Sequence, residues 1–170
     1  TCAWRWATRA TSSVPPTPMD PDLVHDRLFS ESGAVVARAE HPLTRRRQLA
    51  TPDLHGARWI LPRRRELERV AFDDLFLAQG LEPPAAAIET TSTVLMKSVV
   101  MHSDHLAYIP RELIYWEERA GQLVALTVAG MQWERRVGIT RRRRGTLSPA
   151  ARLVIEAVKT AARELPIPLA

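Results

Sequence analysis

Short apolar runs alternate with segments of helical period along most of this chain, and that alternation constrains its fold more than any other feature. Leu23–Phe29 and Ala34–Arg38 read as strands, and Arg58–Leu61 as a short buried strand closed by Pro62. Glu66–Gln79 reads as a helix, with Leu67, Val70, Ala71, Leu75 and Ala78 on one side and Gly80 as its stop. Ala86–Thr90 is again a strand, and Ser92 is placed to cap a helix that runs through Met101. Leu106–Ile109 is a strand ended by Pro110, and Arg111–Arg119 is a short helix with Gly121 just past its end. Leu123–Val128 and Glu134–Thr140 complete the strands. The last helix opens with Ser148 as N-cap and Pro149 at its first position, and Ala151, Val154, Ile155, Val158 and Ala162 recur at helical spacing. Strands alternating with helices predict an α/β fold with a largely parallel sheet.

Residues 1–22 carry no such pattern, and Val14-Pro15-Pro16-Thr17-Pro18 excludes regular structure there. Residues 1–13, with Trp4 and Trp6, are expected to be a disordered head. The length of 170 residues suits one ordinary domain or two small lobes, and 45% hydrophobic with 25% charged residues is a globular composition. No apolar run approaches the ~18–20 residues that a membrane span needs. The N-terminal residues show no signal-peptide pattern, so a cytoplasmic location is expected. Cys2 is the single cysteine, which rules out an internal disulfide and a cysteine-rich metal site. The net charge of +5 invites a nucleic-acid reading. However, Lys97 and Lys159 are the only lysines among 24 basic residues, and abundant Arg, Ala and Pro are also what a GC-rich genome produces.

An ordered set of motifs gives the chain a resemblance. Leu28-Phe29-Ser30-Glu31 precedes a strand and then His41-Pro42-Leu43. Leu54, Trp59-Ile60-Leu61-Pro62 and a helix ending in Gly80-Leu81 follow. Ile88-Glu89-Thr90-Thr91 runs into the helix Ser92–Val100, and Leu106-Ala107-Tyr108-Ile109-Pro110 comes next. Gly121-Gln122-Leu123 and Ser148-Pro149-Ala150-Ala151 close the set. In this order and spacing, from about Pro15 to about Glu164, the chain resembles the effector (substrate)-binding domain of LysR-type transcription regulators. The resemblance implies a two-lobe fold like the type 2 periplasmic binding proteins, with a small organic effector held between lobes joined by two crossing strands. Lobe II would span 41–129, and lobe I would combine 14–40 with 130–170. The hinge crossings would fall near Val36–Glu40 and Ala129–Trp133. The family's N-terminal helix-turn-helix, its linker helix and the first elements of lobe I have no counterpart here, so the chain reads as N-terminally truncated with lobe I incomplete. DNA contact and homo-oligomer formation would then belong to the intact regulator.

Three segments are candidates for the effector site. Thr91, Ser92 and Thr93 open a helix, where free N–H groups and positive partial charge suit an anion and hydroxyls add donors. The same residues also serve as an ordinary helix cap. Pro62, Arg63 and Arg64 follow the first lobe II strand, and arginine suits bidentate carboxylate recognition. That run also reads as solvated charge opening a helix. Ile109 and Pro110, with Tyr108, end the next strand and would serve either as a cleft wall or as core and turn.

Other charged groups read as surface. His102-Ser103-Asp104-His105 lacks a third ligand and fits a loop better than a metal site. Arg141–Arg144 and Arg45–Arg47 lack interleaved aromatics and fit solvated loops. The seven glycines are scattered with no phosphate loop, and no nucleophile elbow or framed carboxylate pair is present. Asp73 and Asp74 are helix neighbours that point apart. No enzyme, cofactor, metal or membrane partner is expected. The alternatives to a regulatory module are a transporter's solute-binding protein and a basic nucleic-acid-binding protein.

Overall fold

A computed structural model of the chain describes residues 7–9 and 21–164. In chain order its elements are β1 (Ala7–Arg9), β2 (Leu23–Arg38), β3 (Leu49–Ala50), β4 (Arg58–Leu61), α1 (Leu67–Leu77), β5 (Ala86–Glu89), α2 (Thr93–Met101), β6 (His105–Pro110), α3 (Tyr115–Arg119), β7 (Leu123–Leu126), β8 (Val128–Ala129), β9 (Trp133–Arg142) and α4 (Pro149–Glu164). Single 3-10 turns occupy Pro42–Arg45, Thr51–Leu54 and Arg111–Ile114. The expected disordered head lies outside the described residues except for β1.

The chain divides into two compact units: Ser32–Trp133, and Thr1–Glu31 with Glu134–Ala170. The lobes implied by the resemblance divide at 40/41 and 129/130. β2 is one continuous strand of 16 residues.

In the unit Ser32–Trp133, β4 pairs in parallel with β5 on one side and with β6 on the other. β2 joins the far side of β6 antiparallel, and β7 pairs antiparallel with β2. The sheet is therefore mixed, where a largely parallel one was expected. Parallel strands need crossover connections, and α1 and α2 supply them. With a helix on each face the strands are buried on both sides, which explains their continuous apolar sequences. Val36, Ile60, Ala107 and Ile109 pack with Met96 and Val100 of α2. Against α1, Phe72 meets Trp59 edge-on at 4.8 Å between centroids, Phe76 at 4.9 Å and Tyr108 at 5.4 Å. Arg69, almost fully buried on α1, is neutralised by Asp73 at 2.9 Å and Glu89 at 3.4 Å.

The sequence suggested two strands separated near Ser30–Gly33, and the structure makes them one. Side chains far along the chain replace the missing apolar pattern. The Glu112 carboxylate accepts from the Ser32 amide at 3.1 Å and from its hydroxyl at 3.2 Å. Gly33 lies so close to Tyr108 that a Cβ there would overlap the phenol oxygen, with Cζ at 2.7 Å and a Trp133 ring carbon at 3.0 Å. Burial drives the Tyr108 hydroxyl's pKa well above its ordinary value of 10.0, so it stays a neutral donor, reaching the Met131 carbonyl at 3.4 Å.

In the other unit, β1 pairs antiparallel with Glu134–Arg136 of β9. β9 also neighbours the first half of β2. His25 and Thr140 are joined across that pair at 2.8 Å. Arg135 and Glu31, both largely buried, form an ion pair. Ser148 caps α4 through the Ala151 amide at 3.2 Å, as expected. Ile155 and Ala162 are buried, but Val154, placed on the same face by its spacing, is 62% exposed. Only the stripe through Ile155 and Ala162 is covered. Lys159, between them, lies 3.6 Å from Asp26 of β2.

Gly33→Ala should lower stability to urea by about 1–3 kcal/mol, because the added methyl must displace Tyr108. Tyr108→Phe in the same chain should restore part of that loss. Equal stability of wild type and Gly33→Ala would show that the close approach does not constrain β2.

Candidate functional site

The parallel strands bring their carboxyl ends to one edge of the sheet. In open α/β sheets ligands bind at that edge. A pocket of about 170 Å³ lies there, within the unit Ser32–Trp133. Every parallel strand contributes: Pro62 follows β4, Thr90 and Thr91 follow β5, and Ile109 and Pro110 close β6. Glu66 and Glu68 line it from the start of α1, Thr93 and Met96 from the start of α2, and Leu113 from the turn before α3. It is smaller than the ~300–1,000 Å³ of common ligand pockets, so a compact molecule fits it.

The junction between β5 and α2 is built from local hydrogen bonds. The Thr90 hydroxyl accepts from the Ser92 amide at 3.1 Å, and the Ser92 hydroxyl accepts from the Leu95 amide at 3.3 Å. The Met96 amide is the first to bond back into the helix, to the Ser92 carbonyl. The amides of Thr93 and Val94 precede that first intrahelical bond and have no place in the helical ladder. The start of α2 thus offers backbone donors, threonine hydroxyls and the positive end of the helix dipole beside the pocket.

Two contacts fix α2 against its neighbour. Lys97 donates to the Leu113 carbonyl at 3.2 Å and to the Glu117 carboxylate at 2.6 Å. This ties α2 to the turn that supplies Leu113. Lys97's hydrogen bond, against the opposing effect of burial, holds the Glu117 carboxyl below its ordinary value of 4.5.

Of the segments chosen from sequence, Pro62, Thr91, Thr93, Ile109 and Pro110 meet at this pocket. Ser92 turns its hydroxyl back to cap α2. Arg63 and Arg64 are exposed and absent from the pocket lining. Sequence reasoning missed Glu66, Glu68, Thr90, Met96 and Leu113. For the glutamates a signal existed: they sit at the start of α1 as the threonines sit at the start of α2, and parallel strands bring such starts to one edge.

The groups read as surface are largely so placed. His102 is exposed, while His105 is buried on β6 with Nδ1 2.9 Å from the Ser103 hydroxyl. Burial and the nearby Arg58 charge lower the His105 pKa, and Asp104 opposes them. No group of three or more His, Cys, Asp or Glu that could hold a metal ion occurs among the described residues. The Arg143 amide and guanidinium bond to the carbonyls of Asp22 and Pro21 at 2.6 and 2.9 Å. Arg46 pairs with Asp53 at 2.7 Å. No described helix is long and apolar enough to cross a membrane.

The family model of the LysR substrate binding domain matches residues 12–163. The HTH-type transcriptional regulator GalR of Pseudomonas putida is 33% identical over 130 residues, covering 76% of this chain and 32% of that protein. The chain spans 32–47% of the length of the curated relatives it matches. Among solved structures, the CcmR regulatory domain of Synechocystis in complex with 2-PG has a TM-score of 0.71 at 16% identity, covering 88% of this chain and 71% of that one. The effector binding domain of QuiR in complex with shikimate has a TM-score of 0.66 at 16% identity, covering 87% and 69%. The fold is that of LysR-type regulatory domains, the type 2 periplasmic-binding-protein-like fold.

Lys97→Met should cost about 1–2 kcal/mol near neutral pH, through loss of a charge-assisted bond. The sign with pH follows from the lowered Glu117 value. The pair's contribution is whole above the ordinary value of 4.5 and is lost as pH falls through the folded-state value. Unfolding curves of wild type and Lys97→Met should therefore converge in acid. Curves that stay parallel from neutral to acid pH would contradict this role for the pair.

Proposed function

Because the chain belongs to the LysR substrate-binding-domain family, we propose that its pocket at the carboxyl edge of β4, β5 and β6 binds the effector of a transcription regulator, and that this effector is a small organic anion. The start of α2 carries the reading: Thr91 and Thr93 line one small pocket, and the first-turn amides that lie outside the helical ladder and the helix dipole stand beside it. The LysR-type regulatory-domain structures solved with 2-PG and with shikimate support a small-molecule ligand for this fold. Among the segments chosen from sequence, Thr91 and Thr93 would contact the anion and Pro62, Ile109 and Pro110 would form the apolar wall. Ser92 would act through the cap it makes, and Arg63 and Arg64 would add positive potential from outside the pocket.

The effector regulates only if it binds one arrangement of the regulator more tightly than another. The relatives are named helix-turn-helix regulators, so DNA contact would lie in a helix-turn-helix outside the matched region, and the regulator would act in the cytoplasm as a homo-oligomer.

Thr93→Pro tests the pocket with little cost to the fold. Proline suits the first helical position, and Ser92 already has the extended backbone that a following proline requires. The change removes one amide and one hydroxyl. In calorimetric titrations with a panel of small carboxylates, wild type should bind some of them saturably. Thr93→Pro should weaken those about tenfold or more while leaving the circular dichroism unchanged. Binding indifferent to Thr93→Pro would place the effector elsewhere.

A further inference from the structure

The net charge is not spread evenly over the two units. Residues 1–31 and 134–170 carry twelve Lys and Arg against seven Asp and Glu, which is the whole net charge of +5. Residues 32–133 carry twelve of each and are neutral. The unit that contains the pocket is therefore balanced, and the other is basic.

Within the basic unit, the fold itself uses several of the acids. Glu31 pairs with the buried Arg135. Asp26 faces two cations, Lys159 of α4 at 3.6 Å and Arg141 of β9 at 3.7 Å, and Glu156 lies 3.5 Å from the same Lys159. Because Arg141 and Lys159 share one carboxylate, the run Arg142–Arg144 leaves the sheet beside α4. Along α4, Arg152, Lys159 and Arg163 recur at spacings of seven and four residues, which is one stripe of a helix. Arg142, Arg144 and Arg163 are exposed and pair with no carboxylate among the described residues. Arg143 and Arg152 donate to the carbonyls of Pro21 and Leu147 at 2.9 and 3.3 Å, contacts that hold them in place and leave their charge uncancelled. Asp22 stands beside the turn through its carbonyl bond to the Arg143 amide. Even so, Arg141–Arg144 and Lys159 set five cations against two acids, Asp22 and Asp26.

A face that gathers cations from two elements with few acids among them attracts a polyanion. The relatives are named helix-turn-helix regulators, so duplex DNA is the polyanion such a chain meets. We propose that the turn Arg142–Arg144 and the basic stripe of α4 form a contact surface for the phosphate backbone of DNA. Arginine suits phosphate oxygens, and phosphate contacts add affinity without reading sequence. This surface would supplement the helix-turn-helix contact and does not depend on the effector pocket.

Fluorescence anisotropy of the full chain with two labelled duplexes of unrelated sequence tests the proposal. Both should bind at low salt with affinities within about twofold of each other. The logarithm of the binding constant should fall against the logarithm of salt with a slope of about −3 to −5, at ~0.9 per phosphate contacted. Combining Arg142→Gln, Arg144→Gln and Arg163→Gln should weaken binding about tenfold or more and reduce the slope by about 2–3. Combining Arg45→Gln, Arg47→Gln and Arg65→Gln removes the same charge from exposed arginines of the neutral unit and should change affinity less than about threefold. Circular dichroism should be unchanged in both variants. Equal weakening by the two variants would overturn the proposal in favour of diffuse charge. A strong preference for one duplex would also overturn it. Binding of poly-glutamate with none of either duplex would point to an acidic protein partner instead, and binding of neither polyanion would remove the surface altogether.

Discussion

Parallel strands cannot be joined by tight turns, and β4, β5 and β6 are parallel, so each connection crosses a face of the sheet as a helix. From that constraint the rest of the unit Ser32–Trp133 follows. Both strand faces become core, which is why Trp59, Ile60, Leu61 and the run Leu106–Tyr108 are completely buried. All three carboxyl ends share one edge, and the helices that leave β4 and β5 begin there. A pocket with two helix starts around it is thus built into the topology before any functional side chain is chosen.

Packing then holds the helices and strands that form this edge together. Phe72 holds Trp59 and Tyr108 against α1, and Lys97 ties α2 to the turn before α3. Gly33 lets β2 close over the Tyr108 phenol. Aromatic contacts of this kind contribute ~0.5–1.5 kcal/mol each beyond their buried area. The buried Arg69 is a different device. Its charge on α1 is matched by Asp73 and Glu89, which joins α1 to β5.

How much of this was legible in the sequence depended on the range of the signal. Ser92, Gly80, Ser148 and Pro149 were readable because caps and stops act within a few residues, and each stands where expected. The continuity of β2 was not readable: Ser32 is satisfied by Glu112, eighty residues further on. Periodicity placed Val154 with Ile155, but periodicity cannot tell which of two adjoining stripes is covered, and Val154 is exposed. Strand-end and helix-start residues such as Pro62, Thr91, Thr93 and Pro110, to which the fold family directs attention, line the pocket. Arg63 and Arg64 were chosen for their charge and for their place after β4; both are exposed, while Glu66 and Glu68 stand in the pocket lining, a placement that shows only when two helix starts are brought together.

The central claim is that the carboxyl edge of the parallel strands is the effector site, with the start of α2 as its anion-binding end. Mapping amide chemical shifts of the labelled full chain during titration with a small carboxylate that binds it in calorimetry tests this most directly. The account predicts saturable shifts at Thr91–Leu95, with smaller ones at Glu66–Arg69 and Ile109–Leu113, and none along α4. Saturable shifts centred on Arg141–Arg144, with the amides of Thr93 and Val94 unmoved, would contradict it.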